Sequence, residues 1–139
     1  MKHHQDDLHD QLTAIPLLSG LSRRQVTKLL SGCKQVEHGP GHEIAVEGQG
    51  ALALHLVLDG EARVTVHGTE VRRLGPGDHF GELSLIDGKR RSATVVAEGR
   101  LKTLAVPHAV FQNLLADEPD VALGLLKVLC ARLREAERV

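Results

Sequence analysis

Between residues 80 and 95 the chain reads Phe80-Gly81-Glu82-Leu83-Ser84-Leu85-Ile86-Asp87-Gly88-Lys89-Arg90-Arg91-Ser92-Ala93-Thr94-Val95. One glycine, one acid and a tight basic cluster stand close together there. Jointly these residue types can hold an anion that also carries hydroxyls. A carboxylate such as Glu82 accepts a hydrogen bond from a sugar hydroxyl. A guanidinium such as Arg91 gives two parallel hydrogen bonds to phosphate oxygens. Backbone N–H groups at the start of a short helix take remaining charge. Gly81, lacking Cβ, lets the backbone approach the sugar closely. The set suits a cyclic phosphodiester of ribose.

Other chemistries fail on spacing. A phosphate-binding P-loop needs four residues between its glycines and a Ser or Thr after its lysine. Here Lys89 is followed by Arg90. Pro76-Gly77-Asp78-His79 faintly resembles a barrel metal site. However, none of the nine histidines forms a His-x-His pair, so no metal is expected. No Gly-x-Ser-x-Gly occurs, and no Ser/His/Asp set can be argued, so the chain reads as a non-enzyme. Taken alone, Glu82 would be a solvated acid near a helix start. Lys89 and Arg90 read as solvated residues. Arg91 differs, because it leads into a strand whose inner face is apolar, where an inward charge needs a counter-ion.

The stretch resembles the phosphate-binding cassette of cyclic nucleotide-binding domains, the family of the catabolite activator protein, the regulatory subunits of cyclic AMP-dependent kinase and cyclic nucleotide-gated channels. The match runs through Phe80, Gly81, Glu82, Leu83, Leu85, Arg91, Ser92, Ala93, Thr94 and Val95. It departs at Ser84, where Ala or Gly is usual, and at Arg90, where Pro is common. The resemblance implies that Glu82 holds the ribose 2′-hydroxyl and Arg91 the phosphate. It also implies ligand contacts from Phe80, Gly81, Leu83, Ser84, Ser92 and Ala93. Ser92 is similar to the residue in the bacterial members, which favours cyclic AMP over cyclic GMP as ligand. A residue of the last helix caps the base in such domains. With no Trp or Tyr in the chain and both Phe upstream, Arg132 or Arg134 is expected in that role, with Leu133 as an apolar alternative.

These residues need elements to position them. The 139 residues suffice for one domain with a real core. A hydrophobic share of 42% with only two aromatic residues makes that core aliphatic. The formal net charge of −1 argues against bulk attraction to nucleic acid or an anionic membrane. Neither a membrane-spanning apolar run nor a signal core is present. Cys33 and Cys130 form no metal or disulfide pattern. They read as reduced, mostly buried thiols of a cytoplasmic protein.

Residues 1–36 read as N-terminal helices. Within 8–36, Leu8, Leu12, Ile15 and Leu18 are spaced helically, Pro16 is a break, and Ser22 is the N-cap of a second helix. Residues 37–106 read as period-two strands, at 44–46, 52–58, 62–66, 91–97 and 101–106. Gly39-Pro40-Gly41, Gly48-Gln49-Gly50, Asp59-Gly60, His67-Gly68 and Gly75-Pro76-Gly77-Asp78 form the turns. Residues 107–139 read as C-terminal helices, the second starting at Pro119. In it Leu126, Leu129, Leu133 and Ala136 make either a dimer seam or a face packed on the barrel. The expected fold class is α+β, a single domain over 1–139. It comprises an antiparallel β jelly-roll-like barrel, interrupted by the cassette at 80–95, with N-terminal helices and C-terminal lid helices. The expected function is a cyclic nucleotide sensor with a homodimer possible through the last helix. A barrel without nucleotide that serves as an interaction module, or a regulatory piece of a longer protein, is the alternative.

Overall fold

The computed structural model describes residues 2–50 and 52–137, with side chains from residue 7 onward. Met1, Ala51, Arg138 and Val139, which the expected domain includes, lie outside the described residues.

The chain opens with α1 (Lys2–Thr13), a 3-10 turn (Pro16–Leu18) and α2 (Arg23–Ser31). Ser22 caps α2 as its position suggests. Its hydroxyl accepts from the Gln25 N–H at 3.2 Å, and Gln25 Oε1 accepts from the Ser22 N–H at 2.6 Å. This reciprocal pair satisfies two donors that the helix end leaves open. The helical reading of 8–36 holds only to Ser31. Gly32 turns its N–H back to Leu29 and Leu30, and from Lys34 the backbone pairs as a strand instead. That strand contains a single apolar residue, Val36, and so shows no alternation in sequence.

Among the described residues eight strands follow: β1 (Lys34–His38), β2 (Glu43–Ala45), β3 (Ala53–Asp59), β4 (Ala62–Val66), β5 (Thr69–Leu74), β6 (His79–Phe80), β7 (Thr94–Ala97) and β8 (Leu101–Pro107). They form two antiparallel sheets of four strands, ordered β1-β8-β3-β6 and β2-β7-β4-β5. This is a jelly roll built as two layers. A short helix, α3 (Glu82–Asp87), lies between β6 and β7, and α4 (His108–Asp117) and α5 (Pro119–Ala136) close the chain.

Strand alternation divides the core in two. Leu54, Leu56 and Leu58 of β3 and Leu104 and Val106 of β8 face the helices, where they meet Leu12, Leu18, Val26, Phe111, Val121 and Leu125. The intervening Val57, with Leu101, turns between the sheets onto Ala62, Val64, Val95 and Ala97. Period two thus sends one set of side chains to each layer. The helices are fixed on one face of one sheet, which leaves the end beside α3 for α5 to cross. Gly60 makes the β3–β4 turn at φ 87°, and a Cβ there would come within 2.2 Å of the Arg100 carbonyl oxygen.

Cys130 is exposed, so the expectation of two buried thiols fails for it; it lies on the outer side of α5. Cys33 is half-buried, and burial pushes its thiol up to about 11. Among the described residues no helix is long and apolar enough to cross a membrane.

Candidate functional site

Gly81 starts the site. Its φ of 96° lies in the left-handed region, and it forms the N-terminal boundary of α3. A Cβ at this position would meet the Ala53 carbonyl oxygen and Arg91 Nη1, each at 2.9 Å. Glycine is therefore required both by the backbone angle and by the guanidinium beside it. Gly88, also left-handed at φ 72°, ends α3 with its N–H on the Ser84 carbonyl. Two glycines thus confine the helix to six residues.

Arg91 is held from the other side. Its N–H bonds to the Gln49 carbonyl at 2.8 Å, and its own carbonyl accepts from the Gly48 N–H at 2.9 Å. This two-way clamp to the β2–β3 turn sets the start of β7. The guanidinium turns inward, where Nη2 reaches the Ala53 carbonyl at 3.4 Å. Burial pushes its pKa down, opposed by the negative charge of Glu82. Among the described residues Arg91 makes no ion pair. It is a half-buried cation without a counter-ion.

Glu82 is only 2% exposed. Burial alone would push its carboxyl up. The His79 imidazole, the Arg132 guanidinium and its own backbone N–H outweigh burial and hold it at about 2. Arg132 Nη1 pairs with Glu82 Oε1, and Arg132 Nη2 donates to the His79 carbonyl at 3.4 Å. His79 Nδ1 stands 3.5 Å from Glu82 Oε2, yet neither ring nitrogen of this buried histidine makes a hydrogen bond. Glu82 is thus the hub of the site, linking cassette to last helix.

Above these groups lies a cavity of about 520 Å³. Its floor is Phe80, Gly81, Glu82, Leu83 and Ser84; one wall is Arg91, Ser92 and Ala93. Val64, Val66, Val71 and Arg72 form the opposite wall, and Leu129, Arg132 and Leu133 come down from α5. Nine of the ten residues singled out from the sequence line this space. Arg134 does not, and its side chain is exposed. Lys89 and Arg90 are exposed, as read. Among the described residues no group of three or more His, Cys, Asp or Glu side chains could hold a metal.

Sequence reasoning missed Arg72, His79 and the layer beneath Phe80. Phe80 stacks on His55 with ring centroids 4.9 Å apart. His55 Nδ1 and His38 Nε2 both lie within hydrogen-bond reach of the Thr103 hydroxyl, at 3.2 and 3.1 Å. His38 in turn stacks on His42. Burial, His38 and Arg91 push the His55 pKa down to about 4. Arg72 had a usable signal. Leu74 faces inward, so period two along β5 points Arg72 the same way.

Comparison with known proteins bears on this site. A family model described as the cyclic nucleotide-binding domain matches residues 35–118, more than half of the chain. The chain is 37% identical over 127 residues to a cyclic AMP receptor protein of Thermus thermophilus, covering 88% of this chain and 59% of that protein. It is 35% identical over 121 residues to a cAMP-dependent protein kinase regulatory subunit of Yarrowia lipolytica, covering 85% of this chain and 32% of the relative. The chain thus spans between a third and about three-fifths of these relatives. Among solved structures, the Thermus thermophilus catabolite activator protein superposes with a TM-score of 0.78 at 36% identity, over 88% of this chain and 60% of the other. The regulatory domain of Toxoplasma gondii PKA with cAMP superposes at 0.79 and 23% identity, over 91% and 50% of the two chains, a likeness of fold.

Proposed function

This chain belongs to the cyclic nucleotide-binding domain family, and we propose that it is a non-enzymatic cytoplasmic sensor that binds cyclic AMP in preference to cyclic GMP and passes occupancy to its C-terminal helix. The observation that carries the reading is the state of Arg91. Among the described residues it is an inward cation without a counter-ion, clamped by backbone beside Gly81 and sharing the cavity with the buried carboxylate of Glu82. A cyclic phosphate supplies the missing anion through two parallel hydrogen bonds. The ribose 2′-hydroxyl then donates to Glu82, and Ser92 and Ala93 close on the phosphate from the strand side. The serine at position 92 is the basis for favouring adenine.

Coupling follows from Glu82. Its carboxylate already carries Arg132 of α5. A ribose hydroxyl arriving there shares or displaces that guanidinium. Ligand therefore changes the free energy of the α5 position through a direct contact, which a lid requires. The outer side of α5 carries Leu123, Leu126 and Leu133, each more than half exposed. With Cys130 they fall on a three-four repeat, and this stripe suits a second copy of the chain. The stripe differs from the expected seam because Leu129 turns to the barrel and lines the cavity.

Thermal melting with cyclic AMP, cyclic GMP and AMP in parallel tests the reading. Ligand at about 100 times its dissociation constant adds about 2.7 kcal/mol of stability. Arg91→Ala should stay folded and lose roughly 2–5 kcal/mol of binding. A folded Arg91→Ala protein with unchanged affinity in calorimetry would remove the central assignment.

A further inference from the structure

His79 is only 4% exposed, and among the described residues neither of its ring nitrogens makes a hydrogen bond. Its place follows from the sheet. β6 pairs with β3, where His79 stands across from Leu56 and Phe80 across from His55. Leu56 belongs to the apolar layer under the helices, so the imidazole shares that side while Phe80 turns to the cavity floor. A buried imidazole needs an acceptor for the N–H it always carries. Gly81, in the left-handed region, bends the chain from strand into α3 and brings Glu82 back beside His79. Nδ1 then stands 3.5 Å from Glu82 Oε2, whereas Arg132 pairs with the other oxygen, Oε1. The carboxylate is thus flanked at both ends.

Its two neighbours differ in how they are anchored. Arg132 reaches Glu82 from α5, the element that the proposed sensor moves. His79 reaches it from β6, which is hydrogen-bonded into the sheet and lies three residues away in the same segment. The last torsion of a glutamate side chain is broad, so a carboxylate held at a single oxygen can turn. Once a ligand draws Arg132 off, a donor fixed to the sheet is what keeps the carboxylate in place. We propose that His79 is the positioning residue of the ribose site: its ring N–H holds the Glu82 carboxylate toward the sugar 2′-hydroxyl whichever way α5 lies, and so sets the preference for ribose over deoxyribose. This step rests on the cyclic nucleotide reading above. His79 does not line the cavity, so it acts through Glu82 and touches no ligand atom itself.

The test compares cyclic AMP with its 2′-deoxy analogue by calorimetry on three proteins. These are the unmodified chain, His79→Phe, which keeps a ring and removes both nitrogens, and His79→Gln, which returns an N–H donor. On the unmodified protein the deoxy analogue should bind about 10- to 100-fold more weakly, as expected for a lost hydrogen bond to a charged group. In His79→Phe that ratio should fall by about 5-fold or more while the deoxy affinity changes little, and His79→Gln should recover most of it. A packing role alone would weaken both ligands by one factor and leave the ratio as it was; that result would overturn the proposal, as would a His79→Gln protein no better than His79→Phe. Should His79→Phe fail to fold, NMR of the His79 ring nitrogens in the unmodified protein decides. Cyclic AMP should shift the Nδ1 resonance and the deoxy analogue should not, and equal shifts would overturn the proposal. Absence of cyclic AMP binding to the unmodified protein would overturn the underlying reading as well. Cyclic AMP binding with an unaltered deoxy ratio in both variants would overturn this inference alone.

Discussion

Removing the guanidinium at Arg132 should expose how much of the fold depends on the buried carboxylate beneath it. Glu82 is 3% exposed at its side chain and Arg132 27%. Breaking a fully buried pair costs about 3–5 kcal/mol, because one charge is left without its partner. Arg132 retains access to water and His79 stays near Glu82, so Arg132→Ala should cost about 2–3 kcal/mol at neutral pH. The pH dependence carries a sign. Glu82 titrates at about 2 in the folded chain against an ordinary 4.5. A depressed carboxyl stabilises the fold above its unfolded pKa, and that stability is lost as pH falls from about 4.5 to about 2. In Arg132→Ala the carboxyl rises toward its ordinary value, so the stability gap between the two proteins should narrow across that same window. Urea unfolding of Arg132→Ala, Glu82→Gln and the double variant forms a cycle. A coupling of about 2 kcal/mol is expected, since the double variant buries no unpaired charge. Additivity within about 0.5 kcal/mol would show that the pair carries no coupling, and the link from cassette to α5 would fail.

A second pH window lies higher. His55 titrates at about 4 in the folded chain against an ordinary 6.5, so the unfolded chain binds its proton first and stability should fall by about 2–3 kcal/mol as pH drops from 6.5 to 4; His55→Asn should flatten that slope in urea titrations, and an unchanged slope would refute the assignment. On α5, Leu126→Asp with Leu133→Asp should shift sedimentation from dimer to monomer without altering the melting of the barrel; if the unmodified chain sediments as a monomer throughout, the outer stripe holds no second copy.

Much of the fold was legible because its signals are local. Ser22 with Gln25 marks the start of α2, Pro119 the start of α5, and Leu54, Leu56 and Leu58 one face of β3. Three strands were not legible, for related reasons. β1 carries one apolar residue, and its remaining residues are polar because it is an edge strand. β5 is the opposite edge of the other sheet, and its run Glu70, Val71, Arg72, Arg73 is charged and exposed along most of its length. β6 has two residues and exists through pairing with β3, which no local pattern announces. Edge strands in general avoid the apolar alternation that makes central strands readable. Charge hid Arg72 in the same way: in sequence it belongs to a solvated run, whereas pairing with β4 turns it into the cavity.

The choice between Arg132 and Arg134 shows how far helical period alone can go once one face is anchored. Val121, Leu125 and Leu129 are packed inward, and Arg132 follows Leu129 by one further turn on that face. Arg134 falls roughly half a turn away, so it cannot reach the same cavity. The exposed stripe follows the same rule from the other side. Leu123, Leu126, Cys130 and Leu133 repeat at three and four residues along the outward face, and Leu133 sits where the two faces meet, exposed yet at the cavity rim. One helix therefore presents Arg132 to the buried carboxylate and an apolar seam to the outside. A change in the Arg132 contact that shifts this helix would, in the proposed sensor, carry the outer stripe with it. In the proposed sensor, ligand and a second copy then act on one element. By reciprocity, whatever free energy the ligand adds to the seam contact, the seam contact returns to ligand binding.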